Sequence, residues 1–290
     1  TFASKSIAGV GVIFYVMLAL RKRLRESGWF ERRGVHEPNL AELLDLVALG
    51  TVADVVSLDH NNRILVSEGL RRIRAGRARP GILSLLTLAK RNYLNLVASD
   101  LGFAVGPRLN AAGRLDDMST GIECLLTQSE AEAHRLALQL DGMNKDRRDI
   151  EAGMREQAFG LVDSLTLETD ALPAALSLFD PSWHQGVVGI VASRIKERCH
   201  RPVIAFALAD ADNPNSELKG SARSIPGFHI RDALDAVATR NPGLVSKFGG
   251  HAMAAGLSLA RENYERFATE FAAEATRLLS PELLQATIMS

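Results

Sequence analysis

Leu46-Val47-Ala48-Leu49-Gly50-Thr51-Val52-Ala53-Asp54-Val55-Val56-Ser57-Leu58-Asp59-His60-Asn61-Asn62-Arg63 is the stretch around which the chain is organised. One carboxylate, Asp54, stands inside a run that is otherwise apolar, just after the breaker Gly50. Burying an ionised carboxylate demands a cation, a dense set of donors, or a pKa shift that neutralises it. Two readings are open on spacing alone. Asp54 either ends a helix and points to solvent or caps the next element, or it is a metal ligand at the end of a core element.

On either side of this stretch, residues 1–128 read as helices. Ile7 to Leu20 is the most apolar segment, 14 residues including Gly9 and Gly11, short of the roughly 20 needed to cross a bilayer. It reads as a buried helix whose last turn, Arg21, Lys22, Arg23 and Arg25, suits the negative end of the helix dipole. Asn39 precedes Leu40, Leu43, Leu44 and Val47 at helical spacing and reads as an N-cap. Asn61 or Asn62 opens a helix over Ile64–Ile73 that Gly76 and Pro80 close. Pro80 starts another over Ile82–Leu88, and Ser99-Asp100 a short one ending at Gly106-Pro107.

Beyond these, Ser129 to Glu132 is a capping-box pattern. Leu136, Leu140, Met143, Ile150, Met154, Ala158 and Leu161 follow at 3–4 spacing, predicting one long connecting helix over 129–170. The pattern then changes. Strands are expected at 174–179, 202–208, 218–225 and 253–259, with helices at 187–199, 229–239 and 263–279. The expected class is α/β: a helical part over 1–128, a connector, and a compact mixed-sheet domain over 171–280.

Composition sets bounds on function. Apolar residues make up 47% and charged residues 23% of the 290, ordinary for a globular protein. Lys plus Arg (34) balances Asp plus Glu (34), so any polyanion site must be a local cluster. Residues 1–128 carry 17 basic and 12 acidic side chains, residues 129–170 carry 5 and 10, and residues 171–290 carry 12 and 12. Cys124 and Cys199 have no metal-type spacing and fit reduced thiols of a cytoplasmic protein. Thr1 opens without Met or a basic leader, which reads as a chain cut from a longer one.

Four further motifs carry chemistry. Gly106-Pro107-Arg108-Leu109-Asn110-Ala111-Ala112-Gly113-Arg114 puts two guanidiniums and an amide in what reads as a small-residue turn, suited to phosphate; an ordinary turn pairing with Asp116 and Asp117 is equally open. Ser182-Trp183-His184-Gln185-Gly186 lies between a strand and a helix N-terminus, where backbone N–H groups gather anions. A Ser-His nucleophile is disfavoured there, since no third group and no glycine elbow accompany it. Along a predicted strand, Lys219, Ser221 and Arg223 face one side, either a phosphate rail or the solvent face of an edge strand. Lys247-Phe248-Gly249-Gly250-His251-Ala252-Met253-Ala254-Ala255-Gly256 sets a histidine behind two glycines, which permit close approach, and ahead of small residues that leave room for a ligand or a packed neighbour. The seven histidines form no i, i+4 or Cys-containing metal set.

Taken in order, Ala48–Leu58, Gly106–Arg114, Trp183–Arg194, Lys219–Ile225 and Lys247–Gly256 resemble the RecJ single-strand-specific exonuclease family of the DHH phosphoesterase superfamily. The resemblance implies a catalytic DHH lobe, represented by its C-terminal part, and a DHH-associated lobe joined by a long helix. It implies Asp54 as a ligand to Mn²⁺ or Mg²⁺, with Arg108 and Arg114 facing the phosphates. Asn110, His184, Gln185, Arg194, Lys219, Ser221, Arg223, Ser224, Lys247, Gly249, Gly250 and His251 fall on its nucleic-acid-binding side. The implied activity is 5′-to-3′ degradation of single-stranded DNA in repair and recombination; the alternative is a superfamily phosphodiesterase for short oligonucleotides or cyclic dinucleotides. Single-strand-binding protein and a RecQ-type helicase are the implied partners. Two departures stand out: the namesake Asp-His-His is absent, Asp59-His60-Asn61 being its closest string, and so is the β-barrel that follows the second lobe in the family. With one metal carboxylate, the chain taken alone is expected to bind strands without cutting them.

Overall fold

The computed structural model describes residues 4–169 and 172–284. The chain divides into two compact units, Thr1–Asp146 and Arg147–Ser290, each with its own core.

The first unit is helical: α1 (Gly9–Glu26), α2 (Trp29–Arg33), α3 (Leu44–Ala53), α4 (His60–Arg74), α5 (Pro80–Leu88), α6 (Ala98–Asp100), α7 (Gly106–Leu115), α8 (Ser119–Leu126) and the start of α9 (Glu130–Thr169). Asn39 accepts from the Ala41 N–H and opens a 3₁₀ turn, Leu40–Leu43, that runs into α3. The core joins Leu49 of α3, Val66 and Ile73 of α4, Leu85 and Leu86 of α5, and Leu136 and Leu140 of α9.

Three expectations are corrected here. α1 is not a buried helix: Phe14 and Gly11 face inward, whereas Val12, Ile13, Val16 and Leu20 are about half exposed. α4 starts at His60, because Asp59 accepts the Asn62 N–H at 2.9 Å and is the N-cap in place of either asparagine. Gly106-Pro107 does not end a helix. A π-helical segment, Leu101–Val105, leads directly into α7, and its wider turn takes up the break that proline, lacking an N–H, imposes.

The second unit carries the sheet: β1 (Leu176–Phe179), β2 (Val203–Leu208), β3 (Leu218–Arg223), β4 (Lys247–Gly250) and β5 (Ala254–Leu259), in the order β1-β2-β3-β5-β4. β1 and β2 are parallel and the remaining pairs antiparallel. α10 (Val188–Cys199), α11 (Ile230–Arg240) and α12 (Tyr264–Leu278) complete it. Leu218, Ala222, Leu257 and Leu259 join Leu234 of α11 and Phe267 and Phe271 of α12 in the core, with Phe267 and Phe271 stacked at 5.8 Å. β4 escapes sequence reading because adjacent glycines are depleted in strands. Glu274 of α12 is buried, held by Arg277 at 2.8 Å and by Arg240.

Candidate metal and nucleic-acid sites

α3 ends at Ala53, and Asp54 is its C-cap, exposed, with its own N–H on the Gly50 carbonyl at 3.0 Å. The solvent-facing reading of the opening stretch is therefore the structure's. Among the described residues its carboxylate has no hydrogen-bond donor and no cationic partner. Val55, next along, takes φ +57 at 87% exposure, a conformation that a β-branched residue rarely adopts. α7 lies beside this end of α3: a Cβ on Gly106 would stand 3.4 Å from the Ala53 Cβ, and one on Gly102 3.2 Å from a Val52 methyl. Phe103, in the π-helical segment, is 81% exposed.

Because α7 is a helix and not a turn, its polar trio divides. Residues four apart share a helix face, so Asn110 and Arg114 lie together, both exposed, while Arg108 turns inward. The Arg108 Nε donates to Asp141 Oδ1 at 2.8 Å, Nη2 forms an ion pair with the same oxygen at 2.8 Å, and Nη1 donates to the Ala104 carbonyl. Burial pushes the Asp141 carboxyl up, but the hydrogen bond from Lys145 and the charge of Arg108 outweigh it, so it titrates below its ordinary range. Arg108 is thus an internal clamp between α7 and α9. Asp117 is engaged by the N–H and hydroxyl of Ser119.

Mg²⁺ and Mn²⁺ take octahedral sets of oxygen-rich ligands. Asp54 has the chemistry of one such ligand, yet among the described residues no three His, Cys, Asp or Glu side chains gather around a point. These residues alone do not fit a metal centre.

In the second unit, β3 alternates buried and half-buried residues, with Lys219, Ser221 and Arg223 on the open side as the strand period requires. β3 is an interior strand, so the edge-strand reading of that row is wrong. Pairing carries the row across the sheet. Ser221 stands opposite Gly256 and Gly256 opposite Gly249, while Lys219, Ser258 and Lys247 form a parallel rung. A Cβ on Gly249 would meet nothing within 4 Å, and one on Gly256 only the Gly220 carbonyl at 3.9 Å. The result is an open glycine floor bordered by Ser221 and Arg223.

The helix N-terminus sits against that border. A Cβ on Gly189, in the first turn of α10, would lie 2.9 Å from both the Arg223 Nη2 and the Ser221 Oγ. Arg223 Nη1 donates to Ser221 Oγ at 3.1 Å. In the preceding loop His184 Nδ1 accepts the Gly186 N–H, and the His184 carbonyl takes the Val187 and Val188 N–H groups. Two stretches far apart in sequence, the first turn of α10 and 219–223, thereby meet. Trp183 is buried, its indole N–H on Gln157 Oε1 at 2.9 Å. The Ser182 hydroxyl donates to Asp180, away from any nucleophile role.

At the sheet edge Gly250 has φ +145, and a Cβ there would lie 2.5 Å from the Ala254 carbonyl and the Ala255 Cα. Glycine alone fits. The His251 N–H donates to Ala254, the register partner of Arg223, and its ring is exposed.

Other expected site residues are engaged within the protein. Ser224 is buried, with its hydroxyl on the Phe228 carbonyl, and belongs to the turn after β3. Lys219 pairs with Glu217 and donates to Ser258. Arg194 pairs with Glu151 and Glu197, and Gln185 donates to the Ala209 carbonyl. Gly189 is not among the residues singled out from the sequence, where the repeated small residues of Gly186-Val187-Val188-Gly189 are the available signal, whereas Gly256 closes the stretch Lys247–Gly256. Among the described residues no helix is long and apolar enough to cross a membrane.

Residues 171–277 match the DHHA1 domain family. The single-stranded-DNA-specific exonuclease RecJ of Dickeya dadantii is 60% identical over 289 residues, covering 100% of this chain and 50% of that protein. RecJ of Escherichia coli is 58% identical, covering 100% and 49%. A crystal structure of exonuclease RecJ bound to manganese superposes with a TM-score of 0.75 at 33% identity, covering 97% of this chain and 64% of that one. Thermus thermophilus RecJ in complex with Mg²⁺ gives 0.71 at 34%, covering 87% and 37%. The chain spans about half the length of the curated relatives it matches. With a helical unit, a mixed sheet of DHHA1 type and this identity along its whole length, the chain is similar to RecJ throughout and fits a part of a RecJ-family protein.

Proposed function

We propose that the chain forms part of a metal-dependent exonuclease that degrades single-stranded DNA from the 5′ end. In this reading the second unit holds the strand. Arg223 and Ser221 take a phosphate beside the α10 N-terminus, where donors and dipole both favour an anion, and the backbone passes over the Gly249–Gly256 floor. Lys247 and His251 line its far side. In the first unit, Asn110 and Arg114 share an exposed face of α7 with groups suited to phosphate, and Asp54 supplies one ligand toward a Mg²⁺ or Mn²⁺ centre that these residues alone do not complete. When bound, such ions activate water and offset charge on the phosphate.

The observation that carries this reading is the packing of Gly189 on Ser221 and Arg223, which gathers three kinds of anion donor at one point. Two free cysteines accord with a cytoplasmic setting, and single-strand-binding protein and a RecQ-type helicase are the partners of this reading. The test is titration of labelled single-stranded DNA with the 290-residue chain across a salt series. Affinity that falls with salt and is weakened by Arg223→Ala is expected; a flat salt response would count against phosphate contacts. Incubation of the same DNA with Mn²⁺ is expected to give no cleavage by this chain alone.

A further inference from the structure

Arg71 to Pro80 contains five arginines, of which two serve the fold: Arg71 pairs with Glu68, and Arg74 donates to the Leu96 carbonyl. The other three, Arg72, Arg77 and Arg79, line a polar cavity of about 370 Å³ in the first unit, together with Glu42, Asp45 and Gln128. Among the described residues none of the three forms an ion pair. Arg72 gives one N–H to the Arg77 carbonyl, and the Nε groups of Arg72 and Arg79 are buried with no acceptor.

The carboxylates nearby do not answer this demand. Asp45 is almost fully buried, and its two oxygens accept the backbone N–H groups of Leu46 and Arg79, each at 2.8 Å. Three guanidiniums therefore face two carboxylates, one of them saturated by backbone. α5 also begins here, with Arg79 as its N-cap residue, no capping side chain and no acidic residue in its first turn. Its positive dipole end thus adds to the arginines.

We propose that this cavity binds a phosphate group. Planar guanidiniums grip phosphate in bidentate forks, and an oxyanion seated here gives acceptors to the terminal N–H groups of Arg77 and Arg79, which among the described residues make no hydrogen bond. The volume lies within the range of roughly 300–1,000 Å³ found for small-molecule sites, which leaves room for the sugar of a mononucleotide. Asp45 and Asp54 are nine residues apart along α3, roughly 14 Å at 1.5 Å per residue, so the pocket stands apart from the exposed Asp54 carboxylate. The phosphate comes either from a free nucleoside monophosphate or from a strand held by the same protein.

Calorimetric titration of the full 290-residue chain carrying Arg223→Ala tests this with the sheet-side phosphate contact removed, so that failure here leaves the reading of the sheet face untouched. Inorganic phosphate, deoxyadenosine 5′-monophosphate and a short single-stranded oligonucleotide are the probes. Binding is expected to weaken about tenfold in Arg79→Gln and in Arg77→Gln, the loss of a charge-assisted hydrogen bond, and to tighten in Glu42→Gln. Arg77 and Glu42 make no side-chain bond on which folding depends, so those two variants keep the test open if Arg79→Gln unfolds. Tighter binding of the mononucleotide than of the oligonucleotide assigns a free nucleotide, and the reverse order assigns a strand phosphate. No binding of any probe, or equal binding in all three variants, overturns the proposal.

Discussion

Gly189 stands so close to Arg223 that a single methyl on it would lie 2.9 Å from the guanidinium. The neighbours it would meet are the far end of the flexible Arg223 side chain and the Ser221 hydroxyl, which can rotate about its Cα–Cβ bond, so Gly189→Ala should fold. Alanine is also the better helix residue, by about 1 kcal/mol. The expected outcome is an unchanged or raised melting temperature together with single-strand affinity reduced about tenfold, because Arg223 and the Ser221 hydroxyl are pushed off their positions. Anisotropy titration beside a thermal melt separates the two effects.

Arg223→Ala removes one phosphate contact. The slope of log affinity against log salt should become shallower by about 0.7, the increment per phosphate for a single strand. A matched change at Arg194, which is engaged with Glu151 and Glu197, should leave the slope nearly as it was.

Glu274 gives the chain an acid-sensitive contact. The hydrogen bond from Arg277 comes first among the causes that hold its carboxyl at about 2; burial opposes it, and Arg240 reinforces it. A depressed folded-state pKa contributes stability that is present above the unfolded value and is lost as pH falls toward the folded one. The stabilisation should therefore be complete above about pH 5 and fade toward pH 2. Both arginines are half exposed, so screening reduces its size to about 2 kcal/mol. Chemical denaturation at stepped pH should show this loss in the parent and a flatter profile in Glu274→Gln.

Arg108→Ala should act on stability before it acts on chemistry. It leaves the half-buried Asp141 with Lys145 as its remaining cation and removes a donor from the Ala104 carbonyl. A loss of about 3 kcal/mol is expected for a broken, largely buried pair, read as a fall in denaturation midpoint. An unchanged midpoint would show that the clamp does not hold α7 to α9.

Gly250→Ala forces φ +145 on a residue with a side chain and drives its Cβ into backbone at 2.5 Å. A destabilisation of about 2–3 kcal/mol should follow, with the β4–β5 hairpin losing hydrogen-exchange protection first.

Much of the second unit was legible in the sequence, since strands such as Val203–Leu208 announce themselves as unbroken apolar runs and helices such as α12 by their spacing. β4 was not, because Gly249-Gly250 removes the side chains on which strand reading depends. In the first unit the motif at 106–114 reads as a turn in the sequence and is a helix in the structure. Its glycines and proline signal a break that the π-helical segment absorbs, and only the helical geometry reveals that Arg108 and Arg114 point apart. Lys219, Ser221 and Arg223 were placed on one face by period alone. What sequence could not supply was the neighbour across space, Gly189, some thirty residues earlier in the chain.

Trp183 gives the molecule an optical readout of its own. Its indole is buried, tied to Gln157, and adjacent in sequence to His184, whose carbonyl anchors the start of α10. Of the two tryptophans in the chain it is the one in the second unit. An anion taken at the first turn of α10, as proposed, would add charge a few residues along the chain from this desolvated fluorophore, so emission intensity and lifetime are expected to report occupancy without a label. A Trp29→Phe background would make that signal specific to one side of the protein.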